Sequence, residues 1–120
     1  MNKTIDFKSI NTVIVQEIMT RYNLPEAEAL NFLNEIRSWC LVNVTHKRWS
    51  NDCSKAKAVT TYGLKHVCER EFDKYIANNW IKAALYTGPF AVKKSRDKSP
   101  ITLNDMFDNT VNFYFKIDVD

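Results

Sequence analysis

The sequence predicts an α+β domain: an N-terminal helical hairpin, then a helix-turn-helix, then a C-terminal β-hairpin in winged-helix order. Three observations predict it. Apolar residues recur at helical spacing through residues 10–44 and 61–87. The chain holds only two glycines and three prolines, too few for the tight turns of an all-β sandwich. Residues 90–94 and 111–117 alternate as strands do. A length of 120 residues accommodates one domain with one core. Residues 1–44 form its hairpin, 45–60 a basic loop and 61–120 the winged-helix-like part.

Ile10, Val13, Ile14, Ile18 and Tyr22 predict a first helix over residues 10–22, with Ser9 or Asn11 as its cap. Asn23-Leu24-Pro25-Glu26 reads as a restart: Asn23 as N-cap, Pro25 in the first turn and Glu26 three residues on. Leu30, Leu33, Ile36, Cys40, Leu41 and Val44 carry the second helix to about Val42. Residues 45–60 lose this rhythm and become polar and basic, a loop long enough to be functional. The third helix opens at Thr60 or Thr61, turning Leu64, Val67, Cys68, Phe72 and Tyr75 inward and Lys65, Glu69 and Arg70 outward. Asn78 is a good N-cap for a fourth helix over 79–87 that buries Ile81, Ala84 and Leu85, and Gly88-Pro89 stops it. Of the strands, 111–117 is the clearer, with Val111, Phe113, Phe115 and Ile117 on one face. Between them, Leu103, Met106 and Phe107 suit a helical turn, and residues 3–7 could add a short third strand.

The net charge of +3 conceals an asymmetry. Residues 1–44 balance at −1, residues 45–98 at +7 and residues 99–120 at −3. A basic block of this kind is the footprint of a polyanion-binding surface, or, more blandly, a solvated face. No apolar run reaches the length of a membrane span and the first residues lack a signal peptide, so a cytoplasmic protein is expected. Cys40, Cys53 and Cys68 form an odd set without a C-x-x-C pair, and buried free thiols are the default reading.

The segment Thr61-Tyr62-Gly63-Leu64-Lys65-His66, with Glu69, Tyr75-Ile76-Ala77-Asn78, Ala83-Ala84 and Gly88, resembles a motif in small, mostly uncharacterised proteins of bacteriophages, prophages and other mobile elements. The likeness covers about a quarter of the chain. It implies a bacterial host cell as the setting and a helix-turn-helix-like module.

Catalytic apparatus is not legible, so an enzyme is not expected, nor a cofactor. Metal ligands could come only from His46, Cys53, His66 and Cys68. Only His66 and Cys68 are close, and on a helix they point about 200° apart. No nucleophile elbow or glycine-rich phosphate loop is present. Glu69, Glu71 and Asp73 read as a charge-paired helix surface beside Arg70 and Lys74.

Binding is therefore the expected function, with nucleic acid, preferably double-stranded DNA, as partner. The fourth helix would present Asn79, Lys82, Ala83 and Tyr86 to a groove. Lys47, Arg48, Lys55 and Lys57 of the loop, Lys65 of the third helix and Lys93, Lys94, Arg96 and Lys98 of the wing would contact phosphates. Trp49, among the loop cations, suits stacking on a base, although anchoring the loop to the core is its more ordinary role. Trp80, Ile81, Tyr86 and Leu85 also admit a fourth helix that is wholly buried. The alternative is a protein-binding effector that inhibits a bacterial host or defence enzyme, of anti-CRISPR or anti-restriction type. The acidic C-terminus is compatible with a homodimer.

Overall fold

A computed structural model describes residues 3–44, 60–94 and 99–117, with the side chains of 116 and 117 outside it. The chain folds as α1 (Phe7–Tyr22), α2 (Glu26–Val44), α3 (Thr61–Phe72), α4 (Asn78–Tyr86), β1 (Phe90–Lys93), α5 (Leu103–Phe107) and β2 (Tyr114–Ile117). The fold is α+β and mostly helical, with one two-stranded antiparallel sheet. Among the described residues no helix is long and apolar enough to cross a membrane.

Local chemistry sets the helix ends. Asp6 caps α1, its carboxylate accepting from Lys8 N and Ser9 Oγ, so the helix starts upstream of the expected Ser9 or Asn11. Residues 3–7 therefore supply no strand. Asn23 does not open α2; it closes α1 in the left-handed conformation (φ 53°), its N–H returning to Met19 O. Thr60 caps α3, whose opening was expected at Thr60 or Thr61, by accepting from Gly63 N. Asp73 closes that helix, again left-handed (φ 52°). Thr102 and Asp105 form a reciprocal capping box on α5, the helical turn expected between the strands.

The core is built around α4. This nine-residue helix packs against α1, α2, α3, α5 and β1, and every one of its residues is buried. A helix enclosed on all sides cannot keep a solvent face, whatever its polar positions suggest. Ile10, Ile14 and Ile18 of α1 and Phe32, Leu33, Ile36 and Cys40 of α2 join the same core from one side. Phe90 and Val92 of β1 with Phe113 and Phe115 join it from the other. The buried stripes are slightly rotated from the expected ones: Val13, Leu30, Leu41, Val67 and Tyr75 are exposed, while Val15, Ala29 and Phe32 are inside.

The strands pair with Phe90 opposite Ile117 and Lys93 opposite Tyr114. On the other side of β2, Thr60 bridges Tyr114, Thr61 N donates to Phe113 O at 2.9 Å, and Phe113 N donates to Thr61 Oγ1 at 3.0 Å. The third position of the sheet is thus occupied by the start of α3.

Candidate functional site

The structure separates the expected binding residues into three groups. Lys47, Arg48, Lys55, Lys57, Arg96 and Lys98, with Trp49 and Cys53, lie outside the described residues.

A second group is internal, correcting the expected outward face of α4. Asn79 is 1% exposed, its Nδ2 donating to Phe107 O at 2.8 Å and its N–H to Asn109 Oδ1 at 3.1 Å. Lys82 is fully buried, its ammonium donating to Asp105 O at 2.5 Å and Asp108 O at 2.7 Å, with the Phe113 ring centroid 4.9 Å away. Burial pushes its pKa down to about 8, against the opposing pull of Asp108, Asp105 and Glu17. Tyr86 is also buried, its hydroxyl accepting from Ile5 N. Neither does Asn78 cap α4: its Nδ2 donates to Asn109 O, Val111 O and Asn112 Oδ1. All four side chains are spent on holding the chain. Asn78, Asn79 and Lys82 together tie down residues 105–112, the approach to β2. Ala83 is buried as well.

Lys65, expected outward, is buried beside Tyr75 and pairs with Glu69 Oε2 at 3.0 Å. Glu69 also accepts from Ile76 N at 3.1 Å and meets His66 Nδ1 at 3.0 Å. Burial pushes the Glu69 carboxyl up, but hydrogen bonds from Ile76, Lys65 and His66 outweigh it and hold the pKa below its ordinary value.

The third group lies at one end of the sheet. Lys93 is half-buried there, and Lys94 pairs with Asp105 Oδ2 at 2.8 Å. Lys93, Tyr114 and Thr60 are consecutive across the sheet, so Thr60 and Lys93 stand about 10 Å apart at ordinary strand spacing. Two basic stretches distant in sequence therefore join the body at one place: 45–59 enters at Thr60 and 94–98 leaves from Lys93.

α3 starts at the same end and presents residues that charge and period alone did not single out. Tyr62 is 52% exposed, and His66 and Arg70 are exposed one and two turns further along. The signal was present in the Thr61–His66 segment, where Leu64 and Lys65 turn out internal and Tyr62, Gly63 and His66 external.

A second surface feature is an open groove of about 660 Å³ along the outer side of α1, lined by Val13, Glu17, Arg21, Tyr75 and Trp80 among others. Trp80 Nε1 donates to Glu17 Oε1 at 3.0 Å in its wall, and Arg21 lies 4.4 Å from the Tyr75 ring centroid. Among the described residues no cluster of His, Cys, Asp or Glu is arranged to hold a metal ion. No protein-family model matches the chain, and no curated protein or solved structure is significantly similar to it.

Proposed function

We propose that this chain is a small non-enzymatic nucleic-acid-binding protein, of bacteriophage or mobile-element type, that grips phosphates at the Thr60–Tyr114–Lys93 end of its sheet. One observation carries the reading: the fold joins both basic stretches, 45–59 and 94–98, to that one line of residues. Charges tethered to a common point act as a single positive patch towards a polyanion. Insertion of α4 into a major groove, as in a winged helix, has no part in the proposal, because Asn79, Lys82 and Tyr86 are buried. Contact with the sugar-phosphate backbone needs no exposed reading helix.

The test is binding of labelled duplex and single-stranded DNA over a range of salt concentrations. Affinity should fall steeply with salt, and each phosphate contact contributes about 0.9 to the logarithmic slope on duplex DNA. Lys55→Glu/Lys57→Glu and Arg96→Glu/Lys98→Glu should each weaken binding and flatten the slope by about two contacts. Absence of binding by the wild-type protein at low salt overturns the reading.

The α1 groove favours a second reading, a protein-directed effector acting on a bacterial host or defence enzyme. Val13 and Tyr75 in its lining leave apolar surface exposed to solvent. A stoichiometric, nuclease-resistant complex lost on Val13→Asp would support it.

A further inference from the structure

We infer that the α3 face made by Tyr62, Gly63 and His66 is a stacking platform for an unpaired base of the bound nucleic acid; the inference rests on the nucleic-acid reading and names the residues that make the contact. Three observations lead to it.

First, Tyr62 and His66 are one turn apart on the same helix face, with ring centroids 4.5 Å apart and planes at 89°. The Tyr62 side chain remains 52% exposed. A large aromatic ring left in water on a helix this well anchored has no role in the core, and every base offers a π-face to such a ring.

Second, the pair is braced from beneath. His66 is held by Glu69 Oε1, while the other oxygen of Glu69 is fixed by the Ile76 N–H and the Lys65 ammonium. This chain of contacts runs from the α3–α4 junction out to the ring, so the platform is pre-organised and loses little freedom on binding.

Third, Gly63 is a glycine the fold does not need. It sits in the first turn of α3 without a positive φ. Among the described residues a Cβ added there would meet only Thr60 Oγ1, at an ordinary 3.9 Å. Glycine in a helix is unfavourable relative to alanine, so the monomer would gain by replacing it. What glycine offers here is a bare patch of backbone beside Tyr62, open to close approach by a ligand. Charge agrees with the choice of occupant: the two basic stretches join the body at Thr60 and Lys93, where α3 begins, and Arg70 continues the face.

The test uses the full chain and a labelled oligothymidylate at low salt, with Tyr62→Ala, Tyr62→Phe, Gly63→Ala and Gly63→Gln. Tyr62→Ala should weaken binding by roughly 5- to 100-fold, as expected for loss of one stacked base, while Tyr62→Phe stays close to wild type. Gly63→Gln should weaken binding comparably. Gly63→Ala should raise the melting temperature, separating a loss of contact from a loss of fold. The inference is overturned if wild-type protein binds and Tyr62→Ala or Gly63→Gln binds equally well, or if Tyr62→Phe falls as far as Tyr62→Ala. Wild-type protein that binds duplex DNA but not oligothymidylate also overturns the inference, whereas binding to neither overturns the nucleic-acid reading beneath it.

Discussion

Replacing Lys82 by methionine keeps the length of the side chain and removes its ammonium from a fully buried position. The carbonyls of Asp105 and Asp108 then lose donors now at 2.5 Å and 2.7 Å. Asp108 O still accepts from Val111 N at 3.0 Å, whereas leaving Asp105 O without the ammonium costs about 1–3 kcal/mol, and loss of the contact with Phe113 adds roughly 1 kcal/mol. Opposing this, the fold no longer has to bury a charge. The fall of the Lys82 pKa from 10.5 to about 8 corresponds to a penalty of about 3 kcal/mol against the charged form. At pH 7 the two sides therefore nearly cancel. The pH dependence is more diagnostic. Between about pH 8 and pH 10.5 the unfolded chain keeps the Lys82 proton and the folded chain releases it, so this group makes the wild-type protein more stable as pH rises. The neutral amine still carries two protons for the two carbonyls. Methionine cannot titrate, so the deficit of the variant should widen by about 2 kcal/mol between pH 7 and pH 9.5. Urea melts of both proteins at the two pH values measure it directly. A deficit that stays constant or narrows would refute the reasoning.

Two further outcomes are expected. Gly88→Ala should destabilise the fold by about 1–3 kcal/mol in the same melts, because its Cβ would fall 3.0 Å from Ala84 O and 3.2 Å from the Phe90 ring. Cys40 and Cys68 should resist an aromatic disulfide reagent at pH 8 in the native protein and react once urea unfolds it. Burial pushes both thiols up, Cys68 to about 12, so the reactive thiolate is scarce as well as shielded.

Much of the fold was legible because its signals are local. The opening of α3 at Thr60–Thr61, Gly88-Pro89 as a stop, the turn at Leu103–Phe107 and the alternation through Phe113 and Phe115 all declare themselves within a few residues. Asn23 and Asn78 misled for the same reason. Asparagine suits an N-cap, a left-handed C-cap or a buried amide equally well, and only the partner each finds decides which: Met19 O four residues back for Asn23, and Asn109 O across the fold for Asn78. The orientation of α4 was the largest loss. Asn79 and Lys82 look like solvent-facing residues until carbonyls of residues 105–108, more than twenty positions downstream, arrive to satisfy them. The meeting of residues 60, 114 and 93 was hidden for a related reason, since an isolated bridge between a helix cap and a strand leaves no periodic trace.

The enclosure of α4 bears on how relatives of this protein should be recognised. A helix packed on every side admits few replacements, so its residues would change slowly among descendants whatever those descendants bind. Likeness at Asn78, Ala83 and Ala84 thus reports a shared interior. A chain that also retains Tyr62, Gly63 and His66, which the interior does not demand, is the better candidate to share a ligand.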